Sequence, residues 1–160
     1  MKTKKLTTIF VLLLILAIAV GTYNISLSDF RLSDSNYSYL AGLTWYRSAP
    51  GLEKAFEQAS LENKPIAIYF WAIWCQYCAA FQTNTLANPQ IKKMLEDDFV
   101  LVAMDLDVDR DVSNKYGVSY PPYVLFLDSK GNVIERISGG VAAGTFLPIA
   151  TKVRDQVRSL

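Results

Sequence analysis

The stretch Ile66-Ala67-Ile68-Tyr69-Phe70-Trp71-Ala72-Ile73-Trp74-Cys75-Gln76-Tyr77-Cys78 decides the fold. Ile66 to Trp71 is apolar, β-branched or aromatic without alternation, the pattern of a short strand buried on both faces. After Ala72-Ile73-Trp74 come the two cysteines of the chain, four residues apart inclusive. A helical stretch begins there and is expected to run to about Ala87. Asn88-Pro89 breaks and restarts it, and Ile91, Met94 and Leu95 carry an apolar face to Glu96.

Upstream, Pro50-Gly51 opens another helical pattern, with Leu52, Ala55, Phe56 and Ala59 on one face and Glu53, Lys54, Glu57 and Gln58 on the other. Asn63-Lys64-Pro65 ends it. Downstream, Phe99 to Met104 reads as a second buried strand. Asp105 to Asp111 reads as an acidic loop leading into a short helix that ends near Tyr116-Gly117. Tyr123 to Leu127 is a third strand, Asp128-Ser129-Lys130-Gly131 a turn, and Asn132 to Ile137 a fourth strand that closes a hairpin. Gly139-Gly140 breaks the chain, and Thr145 can cap a last helix through Val157, with Pro148 in its first turn. Strands separated by helices imply parallel pairing, and the final hairpin adds an antiparallel edge. The expected class is α/β: a mixed central sheet with helices on both faces.

These residues resemble the thioredoxin-like family. Tyr69 to Cys78 is similar to the family's active-site strand and motif. Tyr116-Gly117-Val118, followed by Pro122 and the strand Tyr123 to Leu127, is similar to its second signature, in which a cis-proline precedes a strand. The resemblance covers roughly residues 50 to 157 and looks closest to exported members, such as the C-terminal domain of the transmembrane disulfide reductase of bacterial envelopes. It implies a thioredoxin-like fold and a thiol–disulfide oxidoreductase of the protein-disulfide reductase type. It also implies that Pro122, in the cis form, opposes the cysteines. Cys75 and Cys78 are then the catalytic pair, with Trp74, Tyr77, Pro121 and Pro122 as substrate-binding residues.

The chemistry is legible in the spacing. A cysteine at a helix start meets free N–H groups and the positive end of the macrodipole, so Cys75 is expected to ionise readily. Cys78 lies one turn in and should be less exposed. Cys75 attacks a substrate disulfide, and Cys78 resolves the mixed disulfide. A zinc site needs about four ligands, and there is no further cysteine and no histidine, so neither metal nor cofactor is expected. An inert structural disulfide is the bland alternative, although so tight a loop contributes little as a staple. Two other functions stay open: a disulfide-forming oxidase, and a non-catalytic binding or chaperone module. Three positions depart from the family. Tyr69 stands where many members carry a buried aspartate, Ala103 where they carry a lysine, and Pro121 has no N–H to offer a substrate. The uncharged Gln76-Tyr77 pair between the cysteines argues for a moderate redox poise.

The chain has 160 residues, 16 basic and 15 acidic, with no basic run that would suggest nucleic acid. Lys2, Lys4 and Lys5 precede an apolar run from Leu6 to Val20. That run reads as a transmembrane helix or signal anchor over residues 1–23, with a cleaved signal as the alternative, Ala17-Ile18-Ala19 supplying the small residues. Residues 24–49 read as a tether, of which Leu40 to Tyr46 is apolar enough to pack against the domain, and residues 50–160 as the thioredoxin-like domain. The lysines remain cytoplasmic in either case. The expected location is the cell membrane, single-pass, with the C-terminal domain extracytoplasmic. The expected partners of this monomer are cysteine-containing exported proteins, apocytochrome c among the candidates, and a membrane electron donor.

Overall fold

A computed structural model of the chain describes residues 40–159. The anchor expected over residues 1–23 lies outside them. Among the described residues no helix is long and apolar enough to cross a membrane.

Strand β1 is the two residues Tyr46–Arg47, and helix α1 follows at Ser48–Glu62. The helix starts two residues before the predicted Pro50 and ends at Asn63, which takes a left-handed conformation. Then come β2 (Ile66–Trp71), α2 (Gln76–Phe81), a π-helical turn (Gln82–Leu86) and α3 (Pro89–Asp98). Asn88 caps α3 by accepting from the Gln90 and Ile91 N–H groups, which is why the Asn-Pro pair restarts a helix there. The chain continues as β3 (Val100–Asp105), α4 (Arg110–Tyr116), β4 (Tyr123–Leu127), β5 (Val133–Ser138) and α5 (Ala143–Arg158).

The described strands form one five-stranded sheet in the order β1-β3-β2-β4-β5. Strands β1, β3 and β2 are parallel; β4 is antiparallel to β2 and to β5. The direction of β4 corrects the parallel pairing expected across α4. At about 1.5 Å per residue, the seven residues of α4 span only about 10 Å, too short to recross six-residue strands of about 20 Å. The chain therefore re-enters the sheet at the end where β2 and β3 finish. That reversal sets the start of β4 beside the end of β2, where Tyr123 is the register partner of Phe70.

Successive residues of a strand face opposite sides, and β2 has a packed layer on each. Ile66, Ile68 and Phe70 join Leu52, Ala55 and Ala59 of α1 and Tyr116 of α4. Ala67, Tyr69 and Trp71 join Phe81, Leu95, Phe146 and both cysteines on the other face. There the rings Trp45–Tyr69, Tyr69–Phe81, Phe81–Phe146 and Phe126–Phe146 follow one another at 5.8 to 6.1 Å.

The apolar stretch from Leu40 packs into this second layer. Leu40, Leu43 and Trp45 are all buried, and the Trp45 indole N–H donates to the Leu40 carbonyl at 3.1 Å. Helix α5 differs from expectation at its start. The Ala142 carbonyl already accepts the Thr145 and Phe146 N–H groups, so the helix begins at Ala143 and Thr145 is not its cap. Pro148 is consequently its sixth residue rather than in the first turn.

Candidate active site

Cys75 and Cys78 are joined in a disulfide, with Cα atoms 5.2 Å apart. Cys75 is the N-cap of α2, and its sulfur accepts the Cys78 backbone N–H at 3.0 Å. The same N–H also reaches the Cys75 carbonyl at 3.0 Å, so the sulfur shares a first-turn helix donor, an arrangement that favours a thiolate once the bond is reduced. Both cysteines are buried, Cys78 the more completely, at 1% exposure against 7% for Cys75.

The surface around the pair is apolar and aromatic. Ile73, Trp74 and Tyr77 are 74%, 63% and 77% exposed, high values for side chains of their size. The Trp74 indole N–H donates to Asp107 Oδ2 at 2.8 Å, which ties the loop before α2 to the loop after β3. Trp71 and Phe70, by contrast, are core.

The bond between Pro121 and Pro122 is cis. The Pro122 carbonyl accepts the Gly139 N–H at 2.9 Å, which fastens the proline loop to the end of β5. Gly140 then fills the space between the two halves of the site. A Cβ there would lie 3.5 Å from Phe81 Cβ, 3.7 Å from Pro122 Cγ and 3.8 Å from the Tyr77 carbonyl oxygen. Tyr77, Pro122 and the Gly139-Gly140 segment are thus brought together, although the sequence showed the two glycines only as a chain break. Thr85 secures the far side of that segment by donating to the Val141 carbonyl at 2.6 Å.

Two clefts open beside the motif. One, of about 270 Å³, is lined by Tyr77, Ala80, Phe81, Asn84, Thr85 and Gly140 to Ala142. The other, of about 350 Å³, runs from Trp74 and Pro121 to Asp107 and Arg110. Either has room for a side chain of a bound segment. Among the described residues no group of three or more metal-ligating side chains converges.

Beneath the motif the departures noted in the sequence have a structural consequence. Tyr69 and Ala103 are register partners on neighbouring strands, both buried, so neither a carboxylate nor an ammonium stands at either position. The Tyr69 hydroxyl instead accepts from Gln82 Nε2 at 2.9 Å. Burial pushes the Tyr69 phenol far above its ordinary range, with the Gln82 hydrogen bond opposing only part of that, so it stays protonated at any physiological pH. Gln82 is itself buried, a residue that gave no signal in sequence because a polar side chain in a helix ordinarily faces water.

A family model described as a thioredoxin-like domain matches residues 52–154. The thiol:disulfide interchange protein DsbD of Pseudomonas fluorescens is 27% identical over 118 residues, which cover 70% of this chain and 20% of that protein. The DsbD of Photorhabdus laumondii is 31% identical over 100 residues, covering 59% and 17%. The chain therefore spans about a fifth of the length of these curated relatives. Among solved structures, a thioredoxin from Thermus thermophilus superposes with a TM-score of 0.61 at 25% identity, covering 69% of this chain and 86% of the other. The C-terminal domain of Neisseria meningitidis DsbD, in its oxidised form, gives 0.57 at 24% identity, covering 68% and 97%, a likeness of fold.

Proposed function

Because this chain belongs to the thioredoxin-like family of disulfide oxidoreductases, we propose that it is an exported, membrane-anchored enzyme that reduces or exchanges disulfides of envelope proteins. The observation that carries this reading is the disulfide between Cys75 and Cys78 at the head of α2, set in the aromatic surface of Ile73, Trp74 and Tyr77. Relatives named for thiol:disulfide interchange support the reaction class. The lysine-flanked apolar run at residues 6–20 supports the anchor and an extracytoplasmic domain.

In the proposed cycle the resting disulfide first takes two electrons from a dithiol donor at the membrane. Cys75, as thiolate, then attacks one sulfur of a substrate disulfide. The Cys75–substrate bond forms, the substrate bond breaks, and its other sulfur leaves as a thiolate that takes up a proton. Cys78 gives its proton to water and attacks Cys75 Sγ, so the Cys75–substrate bond breaks, the second substrate sulfur leaves as a thiolate that takes a proton back from water, and the internal disulfide closes. Trp74, Tyr77, Pro121 and Pro122 hold the substrate segment against Cys75. Pro121 offers it a carbonyl and no N–H, so pairing with the substrate backbone is one-sided. Clients are exported proteins whose cysteines must be kept reduced, apocytochrome c being one candidate.

Replacing Cys78 with Ser tests this reading. The variant should accumulate mixed disulfides through Cys75 in the cell envelope, visible as adducts that dissolve on reduction. A variant that captures nothing, in a strain where the protein is expressed, overturns the enzymatic reading. A reduction potential near about −270 mV supports the reducing direction, and one near about −120 mV reverses it.

A further inference from the structure

Gln82 Oε1 has no hydrogen-bond partner, although Gln82 is 1% exposed. A buried acceptor without a donor is unfavourable, and native structures rarely keep one without a reason. Its amide is not free to turn to water, because Nε2 is committed to the Tyr69 hydroxyl. The Gln82 backbone N–H bonds the Cys78 carbonyl, so Gln82 sits one helical turn beyond Cys78. Helical side chains lean toward the N-terminus and lie over the preceding turn, which for Gln82 is the turn that carries Cys78. In the disulfide, Cys78 Sγ carries no proton and can donate nothing. Reduction by two electrons and two protons places an S–H on that sulfur, in the residue one turn before Gln82.

We propose that Gln82, held by Tyr69, is a positioning residue for Cys78: in the reduced protein its Oε1 accepts the Cys78 thiol hydrogen bond and so favours the dithiol over the disulfide. The device is neutral. Tyr69 and Gln82 carry no charge, so the bias does not require a titrating group at the base of the site. This inference rests on the reading of the pair as redox-active, and the two can fail separately.

The test uses Gln82→Met, which keeps length and removes the acceptor. In a Cys75→Ser background, where Cys78 is a free thiol, the infrared S–H stretch should move up in frequency when Gln82 is replaced. In the protein with both cysteines, equilibration with glutathione should shift about tenfold toward the disulfide, equivalent to about 30 mV for a two-electron couple. Tyr69→Phe keeps the acceptor but frees it, and should move both quantities in the same direction by less; it also decides the matter if Gln82→Met does not fold. An S–H band that stays in place in both variants overturns the inference. So does a loss of stability that is equal in the two redox forms and leaves the equilibrium unchanged. If the unmodified protein does not exchange with glutathione at all, the functional reading fails, and the S–H band alone still decides the role of Gln82.

Discussion

Cys75 and Cys78 differ by a single turn of helix, and in the proposed cycle that turn divides their roles. Cys75 Sγ receives the Cys78 N–H at the helix head, and Cys78 lies beneath it in the aromatic layer. After reduction, Cys75 should be alkylated by iodoacetamide at neutral pH about tenfold or more faster than Cys78, since thiolate character and access act together. Mass spectrometry of the partly labelled protein reads the ratio directly. A comparable rate at the two positions contradicts the division. Gly51 poses a steric question at the same scale. A Cβ there would lie 3.1 Å from the Tyr46 carbonyl carbon, in backbone that cannot give way as a flexible side chain does. Gly51→Ala should therefore destabilise the protein by roughly 1–3 kcal/mol in urea denaturation, although alanine is the better helix former.

At the scale of elements, the loop after β3 holds two other parts of the structure together through one carboxylate. Asp109 Oδ2 accepts the Asp105 N–H at 2.9 Å and the Ser48 hydroxyl at 3.3 Å, joining the end of β3 to the start of α1. Burial raises the Asp109 pKa above its ordinary 3.8, and the hydrogen bonds from Asp105 and Ser48 offset only part of that. A carboxyl whose folded pKa is raised binds its proton more tightly when folded. Its contribution is complete below the unfolded value and is lost as pH rises through the folded one. Asp109→Asn has no such titration. The stability of the unmodified protein relative to Asp109→Asn should thus fall as pH climbs from about 3.8 upward, measured as paired urea midpoints across the acidic range. A difference independent of pH contradicts the burial argument.

The elements also show where sequence is informative and where it is not. β2, β3 and β4 were legible within a residue, because buried strands leave uninterrupted apolar runs, here bounded by Pro65, by Asp98 and Asp105, and by Pro122 and Asp128. Strand β1 was not, since two residues carry no period and their pairing with Val102 and Ala103 is a tertiary fact. The π-helical turn was equally hidden. Gln82-Thr83-Asn84-Thr85-Leu86 looks like an ordinary polar helix surface, yet Gln82, Thr85 and Leu86 are all buried. Thr85 faces inward to reach the Val141 carbonyl, and Gln82 to reach Tyr69. The cysteines were visible by spacing alone. The glycines beside them were not, because Gly140 matters for what packs around it, and packing has no local signature.

At the scale of the whole molecule, the segment before β1 belongs to the core. Leu40, Leu43 and Trp45 are 0%, 1% and 3% exposed, and Trp45 stacks at a tilt on Tyr69, the residue that holds Gln82. Losing a buried tryptophan alone costs roughly 3–5 kcal/mol, a large part of the 5–15 kcal/mol by which a domain is ordinarily stable. A fragment of residues 50–160 should consequently be unfolded or nearly so in far-UV circular dichroism and urea titration. A fragment of residues 40–160 should unfold cooperatively. Equal stability of the two contradicts the place given to the segment. The disulfide should matter far less to the fold: closing a loop this short restricts the unfolded chain by only about 2 kcal/mol. The oxidised and reduced proteins should both be folded, as the proposed cycle requires.

The burial of Leu40 also sets a working radius. If residues 1–23 anchor the chain, only residues 24–39 separate the bilayer from the folded body. Sixteen residues cannot span more than about 55 Å whatever their conformation. The disulfide would then act only within a layer above the lipid set by that limit and by the size of the folded body. Proteins emerging from the membrane, or held on it, would meet Cys75 at a high local concentration, and those diffusing farther out would meet it hardly at all.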